Sequence, residues 1–509
     1  MSGGRPTREC PSWISCGSAG QTVKNLLQAP AARGMLDMEY ALEGDRQQRL
    51  EQFLGQIGDV LGDDQRRASF ATYAIGLLSD GERKSMEPIA ARACADPARV
   101  DAEHQRLAHF VSNSNWRDED VRREATAYAL AALTQREQVV GWIFDDTGFL
   151  KQGTHSVGVQ RQYTGSAGKI TNCQIGVSLT VITPTEHLPI DFELYLPQSW
   201  ADDPIRRMEA RIPDKVQFQT KPELAIAMLR RAAAAGVPRG TVLGDSAYGH
   251  SSPLRRACRE LEFPYAVGVM PTDRVWRLDS RGQRIDDEPV AIEDFAVGLG
   301  RGVFRKTTWR QGSKVPLSSY FAMERVHMVQ GDGIDDDEPE AVWLLMEWER
   351  GESAPTKYHV VWQPHAPAGR LTRKQAVRIV KQRWRTERVY EDLKGELGLD
   401  HFEGRRFRGW HHHVSVALAC FAFVVAERVR AFPPSAREED RAGAESGPTG
   451  TPLRGLLHHS TPRDRARARQ VASPLPPLPP SSPLAPSPER PLIWCSCGRN
   501  HSVARLVTQ

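Results

Sequence analysis

Apolar positions recur at three- and four-residue steps in the first periodic stretch of this chain. Leu50, Phe53, Leu54, Ile57, Val60 and Leu61 have the spacing of one buried helix face. The same rhythm runs through 70–78, 86–95, 100–111 and 118–134, which predicts an all-helical N-terminal domain over 36–136. The pattern then changes. Residues 138–149 and 172–183 are rich in β-branched and aromatic side chains and read as strands, with a third at 188–196. An amphipathic helix over 221–235, stopped by Gly236 and Pro238, precedes a short apolar strand at 241–245. A helix at 254–261 and a strand at 265–270 follow. This succession predicts a mixed α/β core beginning at 137–271.

From 272 to 365 the chain reads as β-rich. Strands are predicted at 302–309, 318–328, 341–348 and 358–362, and an acidic loop at 332–340 separates two of them. The region looks like an insertion, because helices over 366–431 still follow it. One long helix is predicted over 372–397, capped by Thr372 and ended by Gly398, and another over 412–431. Residues 1–35 and the Pro- and Arg-rich 432–509 lack periodicity and read as disordered.

A length of 509 residues exceeds one ordinary core, and 40% hydrophobic with 26% charged residues is the composition of a soluble globular protein. The net charge of +4 does not by itself demand nucleic acid, but positive charge gathers around 373–408. The eight cysteines are mostly isolated within apolar runs, as in reduced cytosolic proteins. No stretch has the length of a membrane span, and the chain opens without an apolar signal core. The expectation is a cytoplasmic protein with no membrane partner.

The candidate chemistry lies in three acids. Asp146 closes the run Val-Val-Gly-Trp-Ile-Phe-Asp-Asp-Thr, Asp245 follows Gly-Thr-Val-Leu-Gly, and Glu387 lies in a basic helical stretch. Singly, each reads as a turn former, a cap or a solvated partner of nearby Lys and Arg. Together, two carboxylates at strand ends and a third on a helix can converge on one point. Such a point binds hard divalent cations and serves phosphoryl transfer. Arg383 and Lys394 share a helical face with Glu387, either as a solvated ion-pair ladder or as phosphate contacts. Arg385, Arg388, Arg405, Arg406 and Arg408 extend a basic track for a DNA backbone. His411, His412 and His413 point in different directions from a helix start, which favours DNA or structural contacts over metal. Cys495, Cys497 and His501 lack a fourth zinc ligand.

These motifs resemble those of DDE transposases of bacterial insertion sequences, more narrowly the IS seven-zero-one group, related to the IS four group. The likeness rests on Phe-Asp-Asp-Thr-Gly-Phe-Leu-Lys-Gln-Gly with His155-Ser-Val-Gly-Val-Gln-Arg-Gln-Tyr, and on Leu-Gly-Asp-Ser-Ala-Tyr-Gly. It continues from Arg-Trp-Arg-Thr-Glu through Glu396-Leu-Gly-Leu-Asp-His-Phe-Glu-Gly-Arg to Gly409-Trp-His-His-His. The resemblance implies a ribonuclease-H-like core with a β insertion, and cut-and-paste transposition with Mg²⁺, for which Mn²⁺ can substitute. It implies Asp146, Asp245 and Glu387 as catalytic and metal-binding residues, and Arg383 and Lys394 as the group's basic positions. Asp146 is preferred to Asp145 because the family's acid adjoins Thr147, and Glu387 to Glu391 because of the Arg and Lys spacing. The Tyr that the related group carries three residues before the Arg is Val380 here. The implied partners are terminal inverted repeats, bound by the N-terminal domain, and target DNA. A homodimer on DNA in the nucleoid is expected. The alternative is a catalytically silent, transposase-derived DNA-binding protein.

Overall fold

The structure is a computed structural model that describes residues 44–310, 315–329, 340–364 and 371–431. The predicted disordered termini, the acidic loop up to residue 339, and Cys495, Cys497 and His501 lie outside the described residues. Helices α1 (Gly44–Leu61), α2 (Asp64–Leu78), α3 (Met86–Ala93), α4 (Val100–Ser112) and α5 (Asp118–Leu133) follow the predicted rhythm. Leu50, Phe53, Leu54, Ile57 and Leu61 are all buried. Asp63 caps α2, accepting from the Arg66 amide at 2.8 Å. Asp118, Glu119 and Asp120 set negative charge at the positive end of α5.

Strands β1 (Gly141–Leu150), β2 (Gln160–Thr164), β3 (Lys169–Ile182) and β4 (His187–Tyr195) come next, then the short helices α6 (Gln198–Ala201) and α7 (Pro204–Ala210). Helix α8 (Lys221–Ala234) starts on a reciprocal Thr220–Glu223 capping box. After it come β5 (Thr241–Gly244), the one-turn α9 (Ser246–Gly249), α10 (Ser252–Glu260) and β6 (Tyr265–Val269). The β-rich region supplies β7 (Arg274–Arg277), β8 (Val290–Ala291), α11 (Ile292–Gly298), β9 (Arg305–Arg310), β10 (Leu317–Met328), β11 (Glu340–Trp348) and β12 (Lys357–Trp362). Helices α12 (Arg373–Val380), α13 (Trp384–Gly395) and α14 (Phe407–Ala431) close the described chain.

The twelve strands among the described residues form one mixed sheet in the order β2-β3-β1-β5-β6-β12-β11-β10-β7-β8, with β4 also on β3 and β9 on β10. Strand β1 is antiparallel to β3 and parallel to β5, and β5 is parallel to β6. The β-rich region extends this sheet, because β12 pairs antiparallel with β6 and sets Val360 opposite Val267.

The N-terminal helices share their core with the rest. One hydrophobic cluster runs from Leu50 and Phe53 through Phe192 to Trp410 and Val425. The Phe53 ring lies 5.3 Å from that of Phe423, and the Tyr73 hydroxyl is 2.8 Å from His413 Nδ1. Arg122 on α5 reaches Asp191 on β4 at 3.2 Å. Packed between these helices and β4, α14 is buried nearly throughout, and from Val414 to Ala426 Ser415 is its one polar side chain.

The long helix expected over 372–397 is two helices. Thr372 caps α12 as predicted, in a capping box with Gln375, but the helix stops at Val380 and restarts at Trp384. Every residue across the break is compatible with a helix. Tertiary contacts decide it: Lys381 Nζ is drawn to Glu347 on β11 at 2.7 Å and over the Trp309 ring, while Arg383 turns towards β1. Val380 packs in a second apolar cluster with Ile143, Leu243, Ala266 and Val361. This fixes α12 over the sheet face that carries Ile143.

Candidate active site

Successive residues on a strand point to opposite faces, and that alternation separates the two neighbouring acids of β1. Asp145 follows Ile143 onto the face covered by α12 and α13, where it accepts from Arg383 Nη1 at 2.9 Å. Directly opposite on β3, the Ser178 hydroxyl is 2.6 Å from that of Tyr390 on α13. Asp146 accepts from Lys221 Nζ, at the start of α8, at 2.9 Å and from the Tyr248 hydroxyl at 3.4 Å. Asp145 is thus neither exposed nor idle. Burial pushes its carboxyl up to about 7, opposed by Arg383 and its bond to the Asp146 amide and reinforced by the nearby charges of Asp245 and Asp146.

Asp245 stands at the end of β5, the parallel neighbour of β1, and caps α9 by accepting from the Ala247 amide at 2.9 Å. Two glycines let this turn sit close on β6. A Cβ on Gly249 would lie 1.8 Å from the Gly268 carbonyl, and one on Gly268 would lie 2.8 Å from the Ser246 amide. Tyr248 is fully buried between the acids and its hydroxyl is pushed well above the usual tyrosine range, by burial first and then by Asp146. Its proton stays available to donate to Asp146.

Glu387 lies on the rim with its side chain 67% exposed, and Arg383 Nη2 is 3.9 Å from it. One guanidinium therefore stands between Asp145 and Glu387. Among the described residues, no group of three His, Cys, Asp or Glu side chains is gathered closely enough to hold a metal. Asp146, Asp245 and Glu387 are accordingly not packed as one tight cluster. Asp145 and Asp146 lie midway along β1 and Asp245 just past the end of the neighbouring β5, Asp146 turns towards Lys221, and Glu387 approaches through Arg383. The rival acid Glu391 is 68% exposed and pairs with Arg388 at 2.9 Å.

The basic residues also divide. Lys394 folds inward, where Nζ donates to Thr147 Oγ1 at 2.8 Å, the Gly148 carbonyl at 2.6 Å and Ser166 Oγ at 3.2 Å, and burial lowers its pKa. Arg388 is half-buried, Arg405 and Arg408 are exposed, and Arg406 bonds Asn113. Arg385 corrects the sequence reading. It is buried, and its guanidinium binds the carbonyls of Thr183, Pro184 and Glu186, so it holds the β3–β4 turn and is no part of an exposed track. Arg385→Ala is expected to lower stability by about 2–3 kcal/mol through orphaned carbonyls, which thermal melts check.

The three adjacent histidines are structural. His411 contacts Glu193 at 3.2 Å, His412 stacks on Trp116, and His413 contacts Tyr73. Sequence reasoning missed Lys221 and Tyr248 as partners of the acids. Tyr248 had a signal in its place three residues after Asp245 in the Asp-Ser-Ala-Tyr-Gly motif, whereas Lys221, far along the chain from Asp146, had none.

A family model described as DDE superfamily endonuclease matches residues 52–316, and one described as Transposase DDE domain matches residues 219–423. Over 202 residues the chain is 31% identical to the probable transposase for insertion sequence element IS701 of Microchaete diplosiphon. That match covers 40% of this chain and 48% of the relative, about half the relative's length.

Proposed function

The chain belongs to the DDE superfamily of endonucleases, and on that premise we propose that it is an insertion-sequence transposase that cleaves the element's ends and joins them to target DNA. The observation that carries this reading is that Asp145, midway along β1, and Asp245, just past the end of the parallel β5, are near enough to feel each other's charge, with the Glu387 helix tied to Asp145 through Arg383. The spatial order β4-β3-β1-β5-β6, with an antiparallel trio followed by two parallel strands, supports a ribonuclease-H-like core. Strands β7 to β12 then form its insertion.

Asp145 and Asp245 offer the carboxylate oxygens that a hard divalent cation prefers, and Glu387 would join them only if Arg383, which stands between it and Asp145, gave way. Burial pushes Asp145 up to about 7, with a lesser push from the charges of Asp245 and Asp146, and a bound cation would offset both. Mg²⁺ or Mn²⁺ held there would supply charge stabilisation at the attacking and leaving oxygens of the phosphodiester. Around it the chain's own residues set the geometry. Lys221 and Tyr248 hold Asp146, and through it β1, against the Asp245 turn. Arg383, half-exposed between the acids, can exchange a carboxylate for a phosphate oxygen without leaving its helix. Arg388, Arg405, Arg406 and Arg408 offer contacts to the backbone of the terminal inverted repeats. Two element ends must be paired, so a homodimer on nucleoid DNA is part of the proposal. No helix among the described residues is long and apolar enough to cross a membrane.

The test incubates the full chain with Mg²⁺ and DNA carrying the element ends. Nicked and joined products are expected, and Asp245→Asn should remove both, by roughly 10³-fold. Cleavage that survives Asp245→Asn would sink its assignment. DNA binding without nicking by the wild type would point instead to a silent, transposase-derived binding protein.

A further inference from the structure

We propose that the β2–β3 hairpin docks the DNA end beside the acids, its basic side chains on the phosphate backbone and the Tyr163–Ile170 pair against an unstacked base. The inference rests on the DNA-cutting reading above and names a contact surface for it.

Tyr163 and Ile170 are directly opposed across the hairpin and are 64% and 61% exposed. A cross-strand aromatic–aliphatic pair ordinarily stabilises a sheet by packing. This one turns its area to solvent. The segment's charge is equally one-sided. No Asp or Glu occurs between Asp146 and Glu186, in a chain of 509 residues with 63 of them, while Lys151, Arg161 and Lys169 fall within it. Arg161 and Lys169 are both exposed on the hairpin.

The hairpin's tip is fixed close to the acids. Ser166 Oγ, in the turn, lies 3.0 Å from Thr147 Oγ1 and 3.2 Å from the Gly148 amide, and Lys394 Nζ joins the same group. Gly148 makes the approach possible, since a Cβ there would lie 2.1 Å from Thr164 Oγ1. The turn is thereby anchored to β1 two residues beyond Asp145. The hairpin itself carries the exposed Arg161 and Lys169 and no acid, which complements a polyanion, and two copies of it would repel each other, which favours DNA over a second copy of this chain. A flat ring beside a branched aliphatic is suited to an exposed base face, and basic groups alongside to the backbone that carries it.

The experiment uses the full chain with metal withheld and two fluorescent probes of one sequence. One is a blunt duplex, and the other carries a few unpaired nucleotides at one end. Tyr163→Ser with Ile170→Ser is expected to weaken binding of the frayed probe about ten-fold and leave the blunt one unchanged. Arg161→Gln with Lys169→Gln should weaken both and reduce the slope of log K against log salt by about two. Matching thermal melts establish that the exposed substitutions leave the fold intact. Unchanged affinities and slope in both variants would overturn the proposal. So would loss of a dimer with DNA binding intact, which would make the surface a self-interface. Wild-type nicking with Mg²⁺ is measured in parallel. If it occurs while the variants bind normally, the hairpin inference fails alone. If the variants lose binding as expected but the wild type never nicks, the catalytic reading fails and the hairpin stands.

Discussion

Asp145→Asn is expected to lower metal-dependent nicking by roughly 10³-fold or more, the scale of losing a group that stabilises developing charge directly. Asp146→Asn should cost far less, about ten-fold, the equivalent of one charge-assisted hydrogen bond. The difference follows from which face each side chain takes. Asp145 shares Arg383 with Glu387 and feels the charge of Asp245, whereas Asp146 is held by Lys221 and Tyr248. Both substitutions keep the shape of the side chain, so a rate comparison at saturating Mg²⁺ reads charge more than packing. A dead Asp146→Asn beside an active Asp145→Asn would reverse the assignment and return it to the residue chosen from the Asp-Thr pairing.

Arg122→Met is expected to destabilise the fold by about 3–5 kcal/mol, the cost of removing one partner from a buried ion-pair network. Arg122 is buried and touches Asp118 at 2.6 Å, Asp191 at 3.2 Å and Glu193 at 3.6 Å, tying α5 to β4. Burial alone would raise the pKa of Asp118 and of Glu193. Arg122 overcomes it for Asp118, and His411 with Arg122 for Glu193, and both carboxyls are held down at about 2. Their folded values lie below the ordinary 3.8 and 4.5, so their stabilisation is complete above about pH 4.5 and is lost as pH falls towards 2. Melting temperature against pH should show that acid limb in the wild type and a flatter one in Arg122→Met. An unaltered melt at neutral pH would remove the network from the account of how the helices are held.

The element pattern was legible because burial imposes its period on sequence. The steps of Leu50, Phe53, Leu54 and Ile57 predicted a helix that the structure has, and the strands of the β-rich region fall where their β-branched runs lie. The helix spanning 372–397 was misjudged because every residue across Lys381–Arg383 tolerates a helix. Its break is set by Glu347 and Asp145, distant in the chain. Strand β2 was missed because its few residues alternate weakly and pair only with β3. Arg385 looked like its basic neighbours, since charge in a sequence does not say whether a guanidinium meets water or backbone carbonyls.

By itself the sequence determined the chemistry on offer: acids on two strands, a helical glutamate and the basic stretch around it, although β1 runs on to Leu150 and so Asp146 lies within it and not at its end. Those are local properties, carried by residue type, spacing and hydrophobic period. Only the tertiary structure decided that Asp145 and not Asp146 faces Arg383, that Lys394 folds onto Thr147, and that the N-terminal helices share a core with the last one. Each of those outcomes is a contact between segments far apart in the chain, and the sign of a strand's face or the depth of a helix exists only once those segments have packed.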